Sequence, residues 1–215
     1  CDWSSHVCSS DLMMKRLMET LSGWSEIYSH GDALPKTDLQ CAFLSLPRAF
    51  GTTVDTVPAD VPYVRVPDDI AARWRERLAA IPRPRVGIAW SGRFDKLGEM
   101  HRAIPPEQLA PLLGAGATLV SLQKDYRPQD RAWLDAHPEV LDFSADFVDF
   151  ADTAAVLRRL DGVVSVDTAV IHLAASLGRP TFGLLMRAAD WRWFGHPDAD
   201  RSPWYPELRL FREAP

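Results

Sequence analysis

A chain of 215 residues, 47% hydrophobic and 25% charged, has the composition of a globular protein with room for one sizeable core. A formal net charge of -5 and scattered basic residues leave no electrostatic case for nucleic acid. Cys1, Cys8 and Cys41 make neither a disulfide framework nor a metal cluster, no apolar run is long enough to span a bilayer, and no signal-peptide pattern is visible, so the expected location is cytoplasmic.

Residues 1–12, CDWSSHVCSSDL, closely resemble the translation of a sequencing adaptor and are expected to add little to stability. Met13–Leu21 then reads as a short amphipathic helix with Met13, Leu17, Met18 and Leu21 on one face. A short strand is expected at Glu26–Tyr28 and a second at Leu39–Leu46 (LQCAFLSL), closed by Pro47, with Cys41 as a reduced core thiol. These elements are too few for a core of their own. Residues 13–62 therefore read as the tail of a preceding domain plus a linker, with an exposed apolar face near Leu39–Leu46. Three prolines in TTVDTVPADVPYVRVP, without helical period, make that linker extended.

Beyond it the pattern alternates. Asp68–Ala80 is an Arg- and Ala-rich helix, whose arginines 73, 75 and 77, with Arg83 and Arg85, read as a solvated face and linker. Strands are expected at Arg85–Trp90, Thr118–Gln123, Val140–Phe143, Gly162–Val166, Thr181–Leu185 and Arg209–Phe211. Helices are expected at Pro106–Leu113, Pro128–Ala136, Asp152–Leu160 (capped by Asp152) and Thr168–Leu177 (capped by Asp167), the last stopped by Gly178 and Pro180. Such alternation implies an α/β fold, a Rossmann-like doubly wound parallel sheet spanning 63–215.

The polar residues of this region gather where ligands bind in open α/β sheets, at the carboxyl ends of the strands. In SVDTAVIH, Thr168 and His172 share a helix face behind the amides of the first turn, where the dipole favours an anion. Asp167 would repel a phosphate, so its expected work is capping and accepting a sugar hydroxyl. An ordinary capped helix with His172 tucked into the domain accounts for the same spacing. Ser91 and Gly92, after the first strand, offer a hydroxyl donor and close backbone approach. Gln123 and Lys124 end the second strand, and a solvated lysine after a strand fits equally well. Asp198-Ala199-Asp200 has the D-x-D form of a metal site but lies in a Pro-rich loop, so no metal is expected. Trp191, Trp193, Trp204 and Tyr205 offer rings on which a base could stack, with loop packing as the more ordinary reading.

SVDTAVIHLAASLGRP resembles the D-T-(G/A)-x-x-H-L-A segment of heptosyltransferases, glycosyltransferase family 9, which have the GT-B fold. LPRAFGTTVDTVPADVPY, VGIAWSG, VSLQKD and DWRWF…SPWYPELRLFR are similar to segments of proteins carrying such a domain behind tetratricopeptide repeats. The resemblance implies the C-terminal donor domain of a GT-B glycosyltransferase after a truncated acceptor domain. It implies transfer of a sugar from a nucleoside-diphosphate sugar with inversion, without cofactor or metal. The donor phosphates would meet Asp167, Thr168, Ala169, His172, Arg102, Ser91 and Gly92, and the nucleotide Gln123 and Lys124. Ala169 stands where heptosyltransferases usually have Gly. The general base would lie in the acceptor domain, so none is named, and this chain alone is expected to be inactive. A non-catalytic scaffold of a tetratricopeptide repeat protein and a sugar-nucleotide epimerase on the same fold are the alternatives.

Overall fold

A computed structural model of the chain describes residues 13–22, 27–29, 31–33, 36, 41–92, 102–193 and 200–213. Among the described residues six strands form a single sheet: β1 (Arg85–Ala89), β2 (Thr118–Ser121), β3 (Leu141–Asp142), β4 (Gly162–Val166), β5 (Thr181–Leu185) and β6 (Leu208–Arg212). Their order is β3-β2-β1-β4-β5-β6, and every neighbouring pair is parallel. The helices are α1 (residues 13–18), α2 (Leu46–Ala49), α3 (Asp68–Arg77), α4 (Ala110–Leu113), α5 (Pro128–Ala136), α6 (Phe150–Leu157) and α7 (Ala169–Ser176). A 3-10 turn at Pro106–Leu109 leads into α4.

The chain runs outward from β1 to β2 and β3, then returns to the other side of β1 with β4. That reversal leaves a crevice beyond the carboxyl ends of β1 and β4, where no crossover closes over the sheet. The core forms on both sheet faces because buried parallel strands present apolar side chains both ways. One face packs Val120 and Val163 against Trp74 and Leu78 at the end of α3 and against Leu157 of α6, with Leu17 of α1 in the same cluster. The opposite face packs Ile88, Trp90 and Leu119 against Leu109 and against Trp133 and Leu134 of α5. A third cluster seats Ile171 and Ala175 of α7 on Leu208 and Leu210 of β6.

Two glycines set the position of α7. A Cβ on Gly183 would stand 2.5 Å from Ile171 Cδ1, so its absence lets α7 lie close on β5. Gly178, with φ of +66°, ends the helix in the left-handed conformation that a residue with a Cβ adopts at a cost.

Several expectations need correction. No strand forms over the described part of Leu39–Leu46. Phe43–Ser45 is a 3-10 turn and α2 follows, because no neighbouring strand offers hydrogen bonds to this segment. Pro47 therefore opens a helix and does not close a strand. Cys41 is exposed, not a core thiol, and Phe43 and Leu44 are exposed as expected of an apolar face there. Residues 27–29 form no strand, while Glu26, Leu39 and Gln40 lie outside the described residues.

Asp152 does not cap α6, since Asp149 does, accepting from the Ala151 amide at 2.8 Å. Asp152 is instead fully buried and accepts from Trp74 Nε1 at 2.8 Å, from the Val148 amide at 2.9 Å and from Arg73. Arg73, Arg75, Arg77 and Arg83 are exposed, as expected of a solvated face, and three of them also pair: Arg73 with Asp152, Arg77 with Asp146 and Arg83 with Asp161. Arg85 is buried, with its guanidinium on the Ile81 carbonyl.

Candidate functional site

The carboxyl end of β1 is fixed first. Trp90 is fully buried, and its Nε1 donates to Asp130 Oδ1 at 3.0 Å. Burial pushes the Asp130 carboxyl up, but the Arg127 and Trp90 hydrogen bonds outweigh it and hold the group below the usual carboxylate range. Beyond Trp90, Gln123 bridges β1 and β2. Its Oε1 accepts from the Trp90 and Ser91 amides, each at 3.1 Å, and its Nε2 donates to Ser91 Oγ at 2.9 Å. Gln123 and Ser91 are both buried and engaged with each other. Gly92 is half-buried beside them. Lys124 donates from its ammonium to the carbonyls of Ser144 (3.0 Å) and Phe147.

After the segment 93–101 the chain returns to β1 through a hydrogen bond from the Ile104 amide to the Trp90 carbonyl, at 2.9 Å. This places Arg102 opposite the end of β4. Arg102 Nη1 donates to the Asp167 carbonyl at 3.3 Å and lies 3.6 Å from Asp167 Oδ2.

The cap of α7 is Thr168, one residue later than expected for Asp167. Thr168 Oγ1 accepts from the Val170 amide at 3.3 Å and sits 3.3 Å from Ser165 Oγ at the end of β4. With the cap supplied by Thr168, the Asp167 carboxylate is left to Arg102. Ala169, the first helical residue, is exposed at the helix mouth.

His172, one turn in, stacks on Trp193 (ring centroids 4.9 Å, 12° between planes), and its Nδ1 is 3.2 Å from the Tyr205 hydroxyl. Burial pushes the imidazole below its ordinary value, against the pull of Asp167, so it is neutral near pH 7. Burial likewise raises Tyr205, which meets the Tyr63 hydroxyl of the linker.

A cavity of about 180 Å³ opens beyond the end of β5, lined by Arg102, Asp167, Leu184, Met186, Ala189 and Asp190 among others. The structure therefore brings Arg102 and Asp167 together at the mouth of α7. It sets His172 behind them under aromatic cover, and gives Ser91, Gln123 and Lys124 partners within the protein. Asp190 escaped the sequence reading as a site residue, whereas Trp193 and Tyr205, base-stacking candidates in the sequence, instead pack on His172. Asp190 carried one usable signal, its position just beyond β5 on the same edge of the sheet. Of the D-x-D motif only Asp200 lies among the described residues, and it pairs with Arg209. Among the described residues no group of three His, Cys, Asp or Glu side chains converges on a metal-sized space.

Residues 147–195, from the turn before α6 to beyond the cavity, match the family model described as glycosyltransferase family 9 (heptosyltransferase). A curated relative, Protein FlbA of Caulobacter vibrioides, is 31% identical over 150 residues, 65% of this chain and 24% of that protein. A glycosyltransferase family 9 structure from Veillonella parvula aligns with a TM-score of 0.54 at 15% identity, covering 79% of this chain and 47% of that one. An E. coli ADP-heptose LPS heptosyltransferase II aligns with a TM-score of 0.48 at 15% identity, covering 76% and 49%. The chain spans about a quarter of the length of the curated relative and about half of the solved structures.

Proposed function

We propose that this chain, which matches glycosyltransferase family 9 over residues 147–195, is the donor-binding part of a glycosyltransferase and holds a nucleoside-diphosphate sugar at the mouth of α7. The single observation that carries the reading is the position of Arg102 on Asp167, the residue just before the capped first turn of α7, with both lining a cavity beyond the end of β5. Helix amides and a guanidinium suit a diphosphate, whose charge grows as the sugar departs. Arg102 orients and neutralises the leaving group, and the Thr168 cap holds the amides in place. No bound metal is invoked. The acceptor-binding residues and the general base would come from a partner domain, with residues 13–62 as its last portion and a tetratricopeptide array as a further neighbour. On this reading transfer inverts the anomeric centre, and the 215-residue chain alone binds donor without turning it over.

The test is to titrate the ¹⁵N-labelled chain with UDP-, ADP- and GDP-sugars. The reading expects amide shifts concentrated at residues 167–172 and Arg102. Saturable shifts confined elsewhere, or none, would remove this site.

A further inference from the structure

Resting on that reading, we infer that the cavity is the subsite for the transferred sugar, and that Asp190 is its specificity-determining residue, accepting a sugar hydroxyl opposite Asp167. Size is the first argument. At about 180 Å³ the cavity is smaller than the roughly 300–1,000 Å³ of a pocket enclosing a whole drug-sized ligand, so it takes one part of a nucleotide-sugar.

Charge decides which part. The polar wall holds two carboxylates, Asp167 and Asp190, each already engaged by one guanidinium, Arg102 and Arg192 respectively, so the lining offers a phosphate no surplus of positive charge. A diphosphate seated inside would face both carboxylates. An ionised carboxylate is an acceptor only, so its natural partner is a hydroxyl donor. The phosphates belong at the rim, by Arg102 and the first turn of α7, and the polyol inside.

Asp190 is held ready for that role. Its Oδ1 accepts from the Arg192 amide at 3.1 Å and from Arg192 Nη1 at 2.7 Å, which fixes the carboxylate on its own loop. Among the described residues its Oδ2 has no hydrogen-bond partner, and the side chain is 29% exposed. The apolar remainder, Leu184, Met186 and Ala189, suits the C–H faces of a sugar ring.

The experiment measures Kd by calorimetry for UDP, ADP and GDP and for UDP-glucose, UDP-galactose, ADP-glucose and GDP-mannose. It uses wild type, Asp190→Ala and Asp190→Asn, each checked by thermal melting. The quantity read is the gain in affinity that the sugar adds to its own bare diphosphate. Asp190→Ala should cut that gain about tenfold while leaving the bare diphosphate within about twofold, because one charge-assisted hydrogen bond is lost. Asp190→Asn keeps the Arg192 contacts at Oδ1 but replaces the accepting Oδ2 by an amide donor, so it should lose the gain about as fully as Asp190→Ala.

A sugar gain that survives Asp190→Ala, or equal losses for sugar-bearing and bare diphosphates, overturns the inference and leaves the donor site standing. Wild type that binds bare diphosphate with no gain from any of these sugars has the same meaning. Wild type that binds none of the seven compounds overturns the donor site itself, and the inference with it.

Discussion

Arg102 Nη1 reaches Asp167 twice, 3.3 Å from its carbonyl oxygen and 3.6 Å from Oδ2. In the unliganded chain this pair holds the guanidinium at the mouth of α7 while partly neutralising it. On the proposed reading Arg102→Ala removes a charge-assisted contact to phosphate, worth roughly 1.5–3 kcal/mol, and leaves the Asp167 carboxylate without its guanidinium. Affinity for a bare nucleoside diphosphate should fall about tenfold or more, read by calorimetry.

Asp167→Asn acts in the opposite direction. The cap survives because Thr168 supplies it, and Arg102 is released from its ion pair. Bare diphosphate binding should hold or tighten, while the extra affinity contributed by a sugar should weaken. A parallel loss of both would show that Asp167 serves the phosphates directly.

Thr168→Ala removes the α7 cap. The expected cost is about 1 kcal/mol of stability in a denaturant titration, with a smaller change in diphosphate affinity than Arg102→Ala produces. Thr168→Ser should restore most of the stability.

Asp152→Ala should be the most destabilising of these changes, on the order of 3 kcal/mol. It leaves the Trp74 indole N–H without an acceptor in the core and breaks the link between α3 and α6. Denaturant midpoints test this. A near-neutral result would mean that these groups reach water readily.

His172 gives a pH signature. Its folded-state value lies below 6.5, with burial the leading cause, so below that pH the unfolded chain takes up this proton more readily than the folded one. The contribution is fully present above pH 6.5 and is lost as pH falls through the folded value. Thermal melts from about pH 7 to about pH 5 should show wild type losing more stability than His172→Gln.

The strands with the densest local signal were legible. Gly162–Val166 and Thr181–Leu185 form as read, and Pro128–Ala136 is the helix its first-turn proline announces. The cap of α7 was misplaced by one residue because Asp167 and Thr168 are both good caps. The choice rests on Ser165 Oγ beside Thr168 and Arg102 beside Asp167, and Arg102 is 65 positions away in the chain. Asp152 looked like a cap for the same local reason, but the groups that claim it, on Arg73 and Trp74, come from a distant helix. Phe43 and Leu44 have the composition of a strand, yet strand formation needs a neighbour that composition does not supply. Asp190 was illegible as a site residue because it lies in a stretch without periodicity between β5 and the 3-10 turn at Trp191–Trp193.

The most direct test of the account is calorimetry of the chain with UDP, ADP and GDP, with and without a chelator, on wild type, Arg102→Ala and His172→Ala. The account predicts saturable binding of at least one diphosphate, unchanged by chelator, about tenfold or more weaker in Arg102→Ala and weakened in His172→Ala. Binding that disappears with chelator, or that is indifferent to both substitutions, would contradict it.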